Sequence, residues 1–387
     1  MKVSLKKLSE QTLVITGASS GIGLVTAREA ARRGARLVLA ARAEEALRRL
    51  VEEIRAAGGE AVYVVADVGR EEDVRRIAQK AREEFGGFDT WVNNAGVSIY
   101  GPITRTSVED MRRLYDTNFW GVVYGSLAAV EHLRHRGGAL INVGSTLSER
   151  AIPVQGVYSS SKFAVKGFTD ALRMELEAEG APVSVTLVKP AAIDTPYTRH
   201  AKNLMDREPA VPPPVYAPEV VAGAILHCAE NPVRDVFAGG AGKAIALGEQ
   251  CAPRLTDRLM EATMFQMQRM DDPAREPRDG GLYEASGELE ERGGRSKYVM
   301  ESSVYTKATL HPFVTTALIF GAGLALAALL PARKAFGGDG GRGGEGTGRD
   351  AGGDSGGDSG GSARRRVNRR VQGARVWPSA AGLPAEG

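Results

Sequence analysis

TLVITGASSGIG, residues 12–23, carries the reading from which the fold follows. Thr12 to Thr16 is a short, mostly β-branched run of the kind buried in a sheet, and a helical pattern begins at Gly21. Between them stand Gly17, Ser19, Ser20, Gly21, Ile22 and Gly23. Glycines are needed where a turn is tight and backbone must approach a bound group closely, and the helix N-terminus behind them stabilises negative charge. The alternative is a glycine-rich strand-to-helix turn that binds nothing. A legible strand before it and helix after it favour a phosphate-binding turn.

Working outward, similar runs recur at RLVLAA (36–41), AVYVVA (61–66), TWVNN (90–94), ALINVGS (139–145) and VSVTLVKP (183–190). Near-continuous apolar runs suit strands covered on both faces. Amphipathic stretches such as 43–57 and 70–85 lie between them. Strands alternating with helices imply right-handed crossovers and an α/β, doubly wound parallel sheet in three layers, α/β/α. Ligands of such sheets bind beyond the carboxyl ends of the strands. Arg42 stands at the end of the second run. An acid there would read ribose hydroxyls and repel a 2′-phosphate, whereas Arg42 can pair with that phosphate, Ser20 adding a hydroxyl. This favours NADP(H), with NAD(H) as the alternative; a solvated surface charge is the bland reading of Arg42.

Tyr158 and Lys162 stand four apart at the start of an apparent helix and share a face. A neighbouring ammonium favours the phenolate and lowers a tyrosine pKa toward working pH, so that the phenol can exchange a proton with a carbonyl or alcohol oxygen. The spacing alone is weak evidence, and its context decides. Asp67-Val68 follow the third run, Asn93-Asn94-Ala95-Gly96 the fourth, Asn118 lies in a helix, and Ser145 ends the fifth run 13 residues before Tyr158.

In that order these motifs make residues 8 to about 250 resemble the short-chain dehydrogenase/reductase family, in its TGxxxGxG, YxxxK branch. The resemblance implies a Rossmann-type fold and a single catalytic domain over 1–255. It implies Tyr158 as general acid/base, Lys162 on the nicotinamide ribose, Ser145 on the substrate carbonyl, and Asn118 placing a water that relays protons to Lys162. Gly17, Ser19, Ser20, Gly21, Ile22, Gly23, Arg42, Asp67, Val68, Asn93, Ala95, Gly96, Tyr158 and Lys162 would contact the cofactor. Asn93 serves equally as a brace, and Asn94 has no assigned role. Pro190, Ile193 and Thr195 resemble the family's PGxxxT segment, in which Ala191 replaces the usual glycine. If that position has φ > 0, alanine there costs about 1 kcal/mol.

Residues 194–217 occupy the place of the family's substrate lid, and Leu147, Val154, Tyr197, Leu204 and Met205 hint at an apolar ligand. Residues 256–270 read as an amphipathic, Met-rich helix that packs on the domain or on a dimer mate, with a second lid or a membrane-surface helix as alternatives. Residues 271–312 read as a polar linker. Residues 313–330, 18 without a charge, read as a transmembrane helix of about 27 Å. Residues 331–387 read as a disordered Gly/Arg-rich tail, in which 14 of the 25 residues 337–361 are Gly.

Lys+Arg 50 against Asp+Glu 47 gives a net charge of +3, so nucleic acid is not an expected partner. Two cysteines form no disulfide framework, and five scattered histidines give no expected metal site. The reading is a membrane-associated carbonyl/alcohol oxidoreductase with its catalytic domain in the cytoplasm and a small-molecule substrate, homo-oligomerisation being a family-level expectation. The tail's ten Arg/Lys against six Asp/Glu run counter to an outward orientation. A catalytically idle, membrane-tethered dinucleotide-binding sensor or scaffold is the alternative from another class. A nucleotide-sugar epimerase would show TGxxGxxG spacing and a larger C-terminal domain.

Overall fold

The computed structural model describes residues 3–275, 280–285, 289–296, 298–311 and 315–316. Seven strands form one parallel sheet: β1 Thr12–Thr16, β2 Arg36–Ala41, β3 Ala61–Val65, β4 Thr90–Asn93, β5 Gly138–Val143, β6 Val183–Pro190 and β7 Asp235–Ala238. Their spatial order is β7-β6-β5-β4-β1-β2-β3. Strand β1 pairs with β2 from Thr12↔Arg36 and with β4 from Leu13↔Thr90, so the chain winds away from β1 in both directions. The crevice at that reversal lies beyond Thr16 and Asn93, where doubly wound sheets bind ligands.

Six of the seven strands correspond to the apolar runs. The seventh is the edge strand DVFA, four residues with Asp235 at its start and too short to show a period. Helices α1 Gly21–Arg32, α2 Glu44–Ala56, α3 Glu71–Phe85, α4 Val108–Tyr115, α5 Gly121–Arg136, α6 Gly156–Ala178 and α7 Pro218–Glu230 include the layers on the two faces. Leu13, Val14 and Ile15 are fully buried, with Leu13 and Ile15 packed in one core and Val14 in the other. That is the signature of a strand covered on both sides.

Helices α8 Gly240–Cys251, α9 Pro253–Met267 and α10 Val304–Leu310 extend the domain. Two expected boundaries change. Helix α9 starts before 256 and buries Met260, so it packs on the domain and the boundary at 255 falls inside it. The expected linker over 271–312 is corrected too. Val299–Met300 pairs with Val215–Tyr216, Thr306 of α10 donates to the Phe237 carbonyl at 3.1 Å, and Leu282 is fully buried. Few apolar residues suffice here, because ion pairs and backbone hydrogen bonds hold this segment to a finished surface. Of 313–330 only 315 and 316 are described, so the expected span and the tail lie outside the described residues. Among the described residues no helix is long and apolar enough to cross a membrane.

Candidate active site

The glycine loop is built by close approach. Gly17 has φ 68°, and a Cβ there would lie 2.7 Å from Ala95 Cα; one on Gly23 would lie 2.2 Å from the Gly17 carbonyl oxygen. Asn94 pins the loop, its Nδ2 donating to the carbonyls of Thr16 at 2.9 Å and Gly17 at 3.1 Å. Asn93 points into the protein instead. Its Oδ1 accepts from Trp91 Nε1 at 2.7 Å, and its Nδ2 donates to Asn142 Oδ1 at 2.9 Å. These bonds make it a brace between neighbouring strands, and use the polar atoms that a cofactor contact would need.

A cavity of about 180 Å³ opens beside this loop, lined among others by Ser19, Ser20, Ile22, Arg42, Asp67, Val68, Ala95 and Gly96. Asp67 at its far end is held by Arg113 at 2.5 Å, which keeps its carboxyl below the usual range despite burial. Close backbone, a helix N-terminus and an acid placed this way fit an adenosine diphosphate. Arg42 departs from its expected role. Its two terminal nitrogens donate to four successive backbone carbonyls, those of Gly281, Leu282, Tyr283 and Glu284. A 2′-phosphate at Arg42 therefore competes with four carbonyl oxygens.

Residues 280–285 and 289–296 thus lie along the crevice. Leu282 packs with Val97, Ile99, Leu114 and Val157, Tyr283 donates to Asp110 at 2.9 Å, and Gly281 and Ala285 line the cavity. Further on, the Gly21 N–H donates to the Glu290 carbonyl at 2.8 Å, and Arg28 pairs with Glu291 at 2.8 Å. Gly21 opens α1, so a backbone oxygen occupies one of the donors a phosphate would use.

Tyr158 and Lys162 lie on α6 with Ser145 at the end of β5, and Tyr158 is within hydrogen-bond reach of the Ser145 and Tyr197 hydroxyls. Burial raises the Tyr158 phenol above its ordinary value, while those two hydroxyls pull it back. The expected lowering by Lys162 is not met. Its ammonium lies 5.7 Å from the Tyr158 ring centroid and donates to the Val143 carbonyl at 2.9 Å. Desolvation pulls Lys162 itself down to about 8. Asn118 sits in a π-helical turn, Asp116–Trp120, and is fully buried. Its amide is used by both backbone groups of Val97, at 2.8 and 2.9 Å, and by Ser161 at 3.2 Å. A Cβ on Gly96 would lie 3.5 Å from Asn118 Oδ1 and 3.8 Å from Lys162 Nζ, so the two side chains converge there.

A second cavity of about 220 Å³ contains Ser145, Tyr158, Lys162, Pro190, Ile193 and Thr195. Its other walls include Leu147, Ile152, Tyr197, Val211, Met260 and Met264, so the Met-rich helix faces the site through two methionines. Ala191 causes no strain. Val154, at φ 57°, is the one described non-glycine residue with positive φ. Gly239 makes room instead, since a Cβ on it would lie 2.7 Å from Ala191 Cβ.

A glycine loop, a serine and a Tyr-Lys pair at the carboxyl ends of one parallel sheet coincide with a match of residues 11–205 to the family model for short chain dehydrogenase. The chain belongs to that family. It is 52% identical over 323 residues to the uncharacterized oxidoreductase YxnA of Bacillus subtilis (strain 168), covering 83% of this chain and 91% of that one. A short chain dehydrogenase/reductase of Burkholderia phymatum in complex with NAD superposes at TM-score 0.57 and 26% identity, over 71% of this chain and 100% of that one. An alcohol dehydrogenase of Thermococcus sibiricus complexed with 5-hydroxy-NADP gives 0.52 and 28%, over 59% and 95%. In this short chain dehydrogenase, sequence reasoning missed the pinning role of Asn94, the Arg113 clamp on Asp67, and the segment from Gly280. For the last, the apolar pair Leu282-Tyr283 inside a polar stretch is the one trace.

Proposed function

We propose that this oxidoreductase interconverts a carbonyl and an alcohol using NADP(H) in preference to NAD(H), with Tyr158 as general acid/base. The observation that carries the reading is the placement of the Tyr158 and Ser145 hydroxyls together in the wall of a largely apolar cavity. A nicotinamide dinucleotide, when bound, supplies or accepts the hydride. Gly17, Ser19, Ser20, Gly21, Ile22, Gly23, Asp67, Val68, Ala95 and Gly96 would hold its adenosine and phosphate end, and Lys162, Pro190, Ile193 and Thr195 the other. Ser145 donates to the substrate oxygen as negative charge develops, and Tyr158 gives or takes the proton there. Lys162 holds positive charge close by. Leu147, Ile152, Val211, Met260 and Met264 support an apolar substrate, because a polar one would lose hydration against them.

Arg42 supports NADP(H) by charge, provided that a 2′-phosphate displaces the carbonyls now on it. The uncharged stretch 313–330 supports a membrane anchor, and the use of a cytosolic nicotinamide cofactor supports a catalytic domain on the cytoplasmic side. Exposed Trp120 at the end of the π-helical turn, Leu127 on α5 and Phe163 on α6 support self-association. The test is an oxidation screen of the full chain with NADPH and NADH against aldehydes and ketones of graded apolarity. Tyr158→Phe is expected to lower turnover about 10²- to 10⁴-fold with cofactor affinity retained. Retained turnover would refute the assignment, and cofactor binding with no turnover across the screen would favour the idle sensor.

A further inference from the structure

Tyr197 is held beside the proposed acid/base by more than packing. It lies in the 3-10 turn Pro196–Thr198, just after Thr195, and lines both cavities. Its ring meets those of Tyr158 and Tyr100 edge-on, with centroids 5.5 and 6.2 Å apart. Its hydroxyl donates to Gln155 Oε1 at 3.1 Å and is also within hydrogen-bond reach of the Tyr158 hydroxyl.

The orientation of Gln155 is fixed from behind. Gln268 is fully buried, and its Nε2 donates to the carbonyls of Pro153 at 3.0 Å and Met264 at 3.1 Å. Its Oε1 must then face Gln155, whose Nε2 donates to it at 2.7 Å. Turning either amide over would set like groups against each other. Gln155 Oε1 is thereby presented to Tyr197 as an acceptor that cannot become a donor. A phenol has one proton, and its neighbours are the neutral Gln155 amide oxygen, the neutral Ser98 hydroxyl, and Tyr158, which becomes the one charged acceptor when it is a phenolate. Hydrogen bonds to an ionised acceptor are roughly twice as strong as neutral ones, so the phenolate wins.

We propose that Tyr197 is a positioning residue which shares its hydroxyl hydrogen bond between Gln155 and Tyr158, giving it to Tyr158 whenever that phenol has lost its proton. No covalent bond changes at Tyr197; its O–H turns from one acceptor to the other. The alternation stabilises the ionised form of Tyr158, and with it the proton-accepting direction, while Gln155 keeps the hydroxyl partnered in the other state. Its catalytic meaning rests on Tyr158 being the acid/base. The titratable groups facing Tyr158 are Lys162 on its own helix, Tyr100 from the short strand Ile99–Tyr100, and Tyr197 itself.

The experiment is a ¹⁹F NMR titration of the full chain with 3-fluorotyrosine at its ten tyrosines, a substitution that lowers phenol pKa values. Tyr158→Phe identifies the Tyr158 resonance by its loss. In Tyr197→Phe, which keeps the ring contacts, the Tyr158 midpoint should rise by about one pH unit, a tenfold loss of phenolate at a given pH. In Gln155→Leu, which removes the competing acceptor, it should fall. Opposite shifts are not what loosened packing would give. An unmoved or lowered midpoint in Tyr197→Phe overturns the proposal, and that variant decides alone if Gln155→Leu does not fold. The readout needs neither substrate nor turnover, so failure of the oxidoreductase reading would leave it intact.

Discussion

Lys162 should be a stability cost that the fold carries for its chemistry, and Lys162→Met measures it. Lys162 is 3% exposed, forms no ion pair among the described residues, and donates from its ammonium to the Val143 carbonyl at 2.9 Å. Desolvation takes its pKa from 10.5 to about 8. At 1.36 kcal/mol per unit, burying the charged form costs about 3 kcal/mol at neutral pH. Methionine has similar length and no charge, but leaves the Val143 carbonyl without this donor, at about 1 kcal/mol. The variant should therefore be more stable than the wild type by about 2 kcal/mol at pH 7. The sign with pH follows from proton counting. Between about 8 and 10.5 the unfolded chain binds the lysine proton more tightly than the folded one, so wild-type stability rises with pH through that window. Below it both states are protonated and the full penalty is present. Urea unfolding of wild type and variant from pH 7 to 10.5 reads the gap, which should close as pH rises. A variant less stable at pH 7, or a gap that does not change with pH, would refute the reasoning.

Arg42→Ala should weaken NADPH binding more than NADH binding in titration calorimetry, because charge is lost where a 2′-phosphate would sit; equal binding of the two by the wild type would remove the preference. The same variant removes the donors to four carbonyls, so proteolysis within 280–296 should speed up. Leu282→Ala empties a fully buried site and should cost about 2–4 kcal/mol locally. Hydrogen exchange should then rise at 280–285 while β1 and β5 stay protected, and unchanged exchange at 280–285 would show that Leu282 does not hold the segment.

Much of the site is legible because the reacting groups are tied to local elements. Gly17, Gly21 and Gly23 lie in one turn, and Tyr158 and Lys162 are one helical turn apart, so spacing alone puts each set together. Asn93 shows where that ends. Its motif suggests a cofactor contact, but whether its amide faces a ligand or Asn142 and Trp91 depends on strands 49 residues apart in sequence. The same holds for Asn118, whose amide is used by Val97 and Ser161 from other parts of the chain.

Residue order therefore determined the alternation of strands and helices, the parallel sheet and the glycine loop, since each rests on periodicity or on a conformation that only glycine adopts cheaply. Tertiary structure decided what faces Arg42, how far Lys162 stands from Tyr158, and what orients Tyr197. Those outcomes depend on partners from other elements, from Val143 against Lys162 and Gln155 against Tyr197 to Gly281–Glu284 against Arg42, and no local pattern encodes such a meeting. A polar stretch with two apolar residues reads as a linker until the surface it fits is present, because its hydrogen-bond partners belong to other elements.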